Sequence, residues 1–277
     1  MNDRPHFIDI HSHVNFAAYD ADRKEIIDAA LAANVWMINV GTAEETSVSA
    51  IDVAEHYEQG IFAAVGLHPG HANPSHHDPA EFKDGLNLPH EQFNEQVFSD
   101  MAKNKKVVAI GECGLDFFRE TDSDAKRNQI KAFEQQIELA AKTDLPLMIH
   151  CRAAYVEALD MLASYKKEFT GLRGDIHFFA GSWQEARQFL DLGFTLSFTG
   201  VITFARDYDE VIRNAPLASI MSETDCPYVT PVPYRGKKNQ PLYVREVVKK
   251  IAEIRGEEFE LVRAAMVDNA FRMFKLH

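Results

Sequence analysis

Eight short apolar runs divide the 277-residue chain, at positions 7–13, 35–41, 61–67, 107–112, 146–150, 175–179, 194–199 and 219–224. Most are continuous rather than alternating, the pattern of strands covered on both faces. Between them lie stripes at helical spacing. Ile26, Ile27, Ala30 and Leu31 form one, and Ile130, Phe133, Ile137 and Ala140 another. A third, Val244, Val247, Val248, Ile251 and Ile254, runs into Gly256, a residue suited to a helix C-cap. Strand and helix alternating eight times over this length predict one α/β domain, residues 1–277, folded as a (β/α)8 TIM-type barrel. An open doubly wound sheet is the competing architecture, but no glycine-rich phosphate turn follows the first run. One connection is long. Residues 70–104, after the third strand, read as an insertion, with HANPSHHDP as turn and EQFNEQVFSDMAKN as a helix bearing Phe93, Val97, Phe98 and Met101 on one side. Phe82 and Leu86 add apolar surface there, and packing against the barrel is the expected use of these side chains.

Histidines and carboxylates sit where the runs end. His11 and His13, in FIDIHSHV, lie two residues apart, so a strand points both to one side. Glu112 closes the fourth run, His150 the fifth and His177 the sixth, while Asp225 follows the eighth. Barrel enzymes build their sites at the carboxyl ends of the strands. A lone histidine at a strand end is more often a packed core residue than a ligand. Six such groups on five strands outweigh that reading and predict a metal centre. Cys113, Cys151 and Cys226 each directly follow a candidate ligand. The first two are expected to point outward into the helix layer, and an odd count without paired spacing argues against a disulfide framework.

The chain resembles the TatD-type metal-dependent deoxyribonucleases, within the amidohydrolase-like barrels. The stretches that carry the likeness are DIHSH, VGLHP, AIGECGLDFF, Gln129 with FEQQIELAAKTDLPLMIHCR, HFFAG, ETDCPYVTP with YRGKKNQP, and DNAFRMF. The resemblance implies two divalent ions: His11, His13 and Asp225 on one, His150 and His177 on the other, Glu112 bridging. It also implies a nuclease trimming DNA, and RNA as a further substrate, from 3′ ends. Two departures stand out. Phe178 occupies a position where many relatives carry Cys, and the segment between Pro69 and Ile110 is longer than usual, which bears on substrate entry over the third strand.

The chemistry follows from the residue types. Two cations about 3.5 to 4 Å apart hold a phosphodiester by its non-bridging oxygens, activate a water and stabilise the leaving oxygen. Asp225 is the expected proton acceptor and Glu112 the shared carboxylate. Imidazoles favour Zn or Mn, and phosphate chemistry with carboxylates admits Mg. His68 is expected to contact substrate or leaving group rather than metal, and Asp116 to orient a ligand histidine. Arg152 and Arg235 are candidate phosphate contacts, the latter in a loop with Tyr234, Lys237 and Lys238. A net charge of −13 opposes loose binding to any polyanion, so affinity for single-stranded DNA has to come from metals and a local patch. An amide or ester hydrolase on the same ligands, such as an aminoacyl-tRNA deacylase, is the alternative, because both reactions use metal-activated water. A scaffold that has lost catalysis would show a broken ligand set, and this set is complete. No signal peptide or run of membrane length is visible, so a cytoplasmic monomer without membrane attachment is expected.

Overall fold

A computed structural model describes residues 4–73, 78–82, 91–118 and 122–276. Eight strands pair in parallel in chain order: β1 Phe7–Ser12, β2 Val35–Val40, β3 Ile61–Val65, β4 Val107–Asp116, β5 Leu147–Arg152, β6 Gly174–Ile176, β7 Thr195–Phe198 and β8 Ile220–Ser222. Helices α1 Arg23–Ala32, α2 Glu44–Glu55, α3 Glu95–Met101, α4 Ser123–Thr143, α5 Tyr155–Glu168, α6 Trp183–Asp191 and α7 Asp209–Asn214 each follow the strand of the same number, and α8 Val244–Arg255 and α9 Phe259–Phe274 follow β8. A single parallel bridge, Ser12 to Cys226, joins the first strand to the last. The sheet is therefore a nearly closed (β/α)8 barrel.

Alternation along the strands separates two apolar layers. On β2, Val35 and Met37 join Ile27, Ala30 and Ala50 in the outer cluster beneath the helices. Trp36, Ile38 and Val40 face the other way, into a second cluster with Ile8, Ile10, Phe62, Val108, Met148 and Met221. α9 caps that inner cluster with Val267, Ala270, Met273 and Phe274, and Phe271 stacks on Trp36 at 5.7 Å. The barrel interior is thus plugged at its amino-terminal end, leaving the opposite end for polar groups. Cys113 and Cys151 are buried in the outer cluster.

All eight strands end one to four residues from where the sequence reading places them. β4 does not stop at Glu112 but continues to Asp116, held there by the α4 side chain Gln129, which accepts from the Asp116 N–H at 2.9 Å and donates to its carbonyl at 3.0 Å. β6 ends at Ile176, one residue before His177, and β1 ends one residue before His13. Gln136, two turns along α4, clamps Leu67 in the same way at 2.8 and 3.0 Å. One helix face thereby sets the ends of both β3 and β4. In the insertion, Phe93 and Phe98 are buried and stacked at 4.7 Å, a packing role. Leu86, His76, His77 and His90 lie outside the described residues. Among the described residues no helix is long and apolar enough to cross a membrane.

The β4–β5 junction sets the height of the site. Gly114 has φ +130°, and a Cβ there would collide with the carbonyl oxygen of His150. Gly114→Ala is expected to cost about 2 kcal/mol or more of stability, from positive φ and overlap together, read from urea unfolding curves. An unchanged midpoint and slope would show that the two strands have slack at this point.

Candidate metal centre

Register irregularities aim the ligands. Asp9 lies opposite Met37 and Ser12 opposite Asn39, so three steps on β1 match two on β2. The same happens on β4, where Ile110 faces Leu147 and Cys113 faces Ile149. Each extra residue falls at or beside a candidate ligand, His11 in one case and Glu112 in the other, which is how a bulge re-aims a side chain. The end loops are tied directly. The Asp225 N–H donates to the His11 carbonyl at 2.9 Å, and the His13 N–H donates to the Cys226 carbonyl at 3.0 Å.

Glu112 stands at the middle. One carboxylate oxygen lies 3.0 Å from His150 Nδ1, 3.2 Å from His177 Nε2 and 3.5 Å from His68 Nε2. The other lies 3.4 Å from His11 Nε2 and 3.8 Å from His13 Nε2. Burial alone would raise this carboxyl, but His68, His177 and the imidazole hydrogen bonds outweigh it and hold the group well below its ordinary range. Asp225 Oδ1 completes the set at 3.4 Å from His13 and 3.9 Å from His11. All six predicted ligands therefore meet in one place.

The outer ring nitrogens show how the imidazoles are held. His13 Nδ1 is 2.9 Å from the Val40 carbonyl, His150 Nε2 is 3.3 Å from Asp116 Oδ2, and His177 Nδ1 is 3.2 Å from Glu223 Oε1. A carboxylate or carbonyl behind each of these three rings accepts a hydrogen bond from its N–H and fixes the ring's orientation, as in metal sites. Asp116 is thus the group behind His150. His68 is wired in the opposite sense. Its Nδ1 accepts the Gly70 N–H at 3.0 Å, which leaves the proton of a neutral ring on Nε2, facing Glu112. Burial pushes His68 down to about 3, so the ring is neutral, and with Glu112 and His150 it forms a further group of metal-ligand spacing.

The donor set fits divalent cations. His11 Nε2 and His13 Nε2 point at each other across 3.1 Å, and among the described residues His11 Nδ1 has no hydrogen-bond partner, an arrangement two bare imidazoles satisfy poorly. Burial would push His13, His150 and His177 down, yet the carboxylates around them raise all three. The centre therefore draws in positive charge, which a divalent ion would supply. His11, His13 and Asp225 can converge on one ion, and His11, Glu112 and His177 form a second group of matching spacing.

A cleft of about 680 Å³ opens over the centre, lined among others by His68, Asp116, Phe118, Arg152, Tyr155 and Tyr228. Arg152 reaches this space and stacks its guanidinium over Phe118, 3.8 Å from the ring centroid. Arg235 does not line it: it covers Phe204 at 4.2 Å and donates to the Thr230 carbonyl. Its neighbour Lys238 is paired with Asp22 at 2.7 Å, and Tyr234 is stacked on Tyr243. On the insertion side, His71 is 2.9 Å from Glu81, which also accepts from Thr42, and Tyr228 donates to Asp78 at 2.9 Å.

The sequence reading missed Glu223, Ser197 and Asp175. Glu223 holds His177 and accepts the Phe178 N–H at 2.7 Å; Ser197 lies 2.8 Å from Glu223 and 2.5 Å from Asp175, which Thr195 also serves. Burial and the Glu223 charge lift Asp175 to about 7. Period two was the available signal, since Asp175 precedes His177, and Glu223 precedes Asp225, by two residues.

Comparison with known proteins places these residues in a family context. The model described as TatD related DNase matches residues 8–275. An uncharacterized metal-dependent hydrolase of Bacillus subtilis, YabD, is 35% identical over 272 residues, covering 97% of this chain and 99% of its own. The 3′-5′ ssDNA/RNA exonuclease TatD of Cronobacter sakazakii is 32% identical over 274 residues, covering 96% and 97%. Among solved structures, the TatD homologue YjjV from Escherichia coli K12 superposes with a TM-score of 0.83 at 28% identity, covering 98% of this chain and 99% of that one.

Glu223 is the clearest test of how the rings are held. Glu223→Gln is expected to weaken Mn binding by about 10- to 100-fold in a chelator competition, with the circular dichroism spectrum unchanged. Undiminished affinity would mean that His177 keeps its orientation without this carboxylate.

Proposed function

The chain belongs to the TatD related DNase family, and from that premise we propose that it is a divalent-metal-dependent phosphodiesterase trimming single-stranded DNA, and RNA as a further substrate, from 3′ ends. The observation that carries this reading is the Glu112 carboxylate with five imidazole nitrogens 3.0 to 3.8 Å away and Asp225 beside them. A relative named as a 3′-5′ ssDNA/RNA exonuclease, similar over almost the whole chain, supports the choice of substrate.

In this reading His11, His13 and Asp225 would hold one ion and His150 and His177 a second, with Glu112 as the carboxylate available to either. Such ions, when bound, polarise phosphoryl oxygens and make a nearby water acidic. Asp225 lies at the cleft floor with one oxygen facing the ligand histidines, and it accepts the proton that the attacking water gives up. His68 donates its Nε2–H to the phosphoryl or leaving oxygen, a neutral hydrogen bond aimed at developing charge. Arg152, on the rim past His150, takes a flanking phosphate. Arg235, outside the cleft lining, is left to contact the strand farther from the reacting end.

The decisive experiment uses metal-stripped protein with Mg, Mn or Zn added back, on single-stranded DNA labelled at either end. Metal-dependent release of nucleotides from the 3′ end is expected, and Asp225→Asn is expected to lose about 10²-fold or more in turnover at unchanged stability. Cleavage by no ion would turn the assignment toward an amide or ester substrate, and substantial turnover by Asp225→Asn would remove the proton-acceptor role.

A further inference from the structure

Phe118 breaks the ordinary pattern of this chain. It is 61% exposed, the one phenylalanine or tyrosine classed as exposed among the described residues that line the cleft; Phe16 is buried there, and Tyr155, Phe178, Tyr208 and Tyr228 are half-buried. A large apolar ring on the lip of a site otherwise built from carboxylates and imidazoles contributes nothing to the core.

Its position is nevertheless held. The Phe118 N–H donates to Asp116 Oδ1 at 3.0 Å, while Asp116 Oδ2 meets His150 at 3.3 Å. One carboxylate therefore ties the backbone of the exposed ring to a predicted metal ligand. The Arg152 guanidinium lies over the ring, and among the described residues no other aromatic ring packs on it. Arg152 is also the only lysine or arginine among the described residues lining the cleft, against Asp78, Glu81, Glu112, Asp116 and Asp225. A chain of net charge −13 with one cation at its cleft gains little from the phosphate backbone beyond the metals and that arginine. Nucleobases offer the other source of sequence-tolerant affinity, because every base has a π-face to stack on an aromatic ring or a guanidinium.

We propose that Phe118, backed by Arg152, is the platform on which the nucleobase next to the scissile phosphate stacks, so that the enzyme reads the presence of a base and not its identity. This rests on the phosphodiesterase reading and adds to it a positioning surface for the substrate. The base stacks on the side of the ring away from Arg152, and the guanidinium remains available to the adjacent phosphate.

The test compares kcat/KM of the metal-loaded wild type, Phe118→Ala and Phe118→Trp on a single-stranded oligonucleotide and on the same oligonucleotide with tetrahydrofuran residues replacing the terminal nucleotides at both ends. Wild type is expected to prefer the base-bearing strand about tenfold, Phe118→Ala to lose about tenfold on that strand alone, and Phe118→Trp to retain the preference. An exposed side chain can be truncated with little effect on stability, which thermal melts of the variants would verify. Equal losses on both substrates, or none on either, overturn the stacking role while leaving the phosphodiesterase intact. Failure of the wild type to cleave either substrate overturns both.

Discussion

The buried carboxylate of Glu112 sets the terms for the rest of the molecule. A charge taken out of water is costly unless it is paired and hydrogen-bonded, and here the pairing is done by five imidazoles. Each imidazole must then find a partner for its far nitrogen. The polar shell consequently spreads outward until it ends on groups that close it: a backbone carbonyl behind His13, Asp116 behind His150, and behind His177 a chain from Glu223 through Ser197 to Asp175 and Thr195. His11 is the exception, with Nδ1 unmatched among the described residues. Another buried carboxylate, Asp9, is closed off by the N–H and hydroxyl of Thr224, at 2.8 and 2.5 Å, which also knits β1 to the segment after β8 where the sheet nearly parts.

A barrel suits such a shell because its two ends are independent. At one end Trp36, Phe62, Met148 and the α9 side chains fill the interior with almost wholly apolar surface. Toward the other, the strands feed polar groups inward, and the backbone departs from regular geometry in proportion. Four of the seven non-glycine residues with positive φ among the described residues, Ala153, Phe178, Asp225 and Val229, lie on the loops after β5, β6 and β8. Conformations of that kind cost free energy and persist where surrounding contacts over-determine them. The extra residues on β1 and β4 belong to the same pattern. The apolar end holds the fold, and the polar end spends some of that stability on aim.

Legibility in the sequence followed the same division. The order of strands was readable because continuous apolar runs and helical stripes report burial, and burial is what the apolar layers require. His11, His13, Glu112, His150, His177 and Asp225 were readable as a set because each punctuates such a run. Strand ends were less so: whether β4 stops at Glu112 or continues to Asp116 depends on a glutamine thirteen residues on, and no local pattern announces that. Bulges are equally silent, since the residue inserted at Glu112 looks like any other in VVAIGECGLD. The outer partners were only half visible. Asp116 stood out as a carboxylate near a ligand, whereas Glu223 and Asp175 sat inside strand-like runs where period two marked them and their chemistry did not. Arg235 is a different case, for the basic loop after the last strand sets its groups against Thr230, Phe204, Asp22 and Tyr243, contacts that no local pattern announces.

That commitment bears on how an acidic chain could engage nucleic acid. A surface that repels the polymer as a whole cannot hold a strand along its length, so under the proposed function attraction would have to be concentrated at Arg152 and at ions held by the ligand set, close to the reacting bond. Concentrated attraction of this kind favours a strand end over an interior segment, because an end brings one terminal unit into the cleft while the rest of the chain leaves through repelling surface. Continuous double-stranded DNA has no such unit to offer without unpairing. The charge balance that at first argues against a nucleic-acid enzyme is thus compatible with one that handles termini, and the repulsion itself would help a shortened strand to leave.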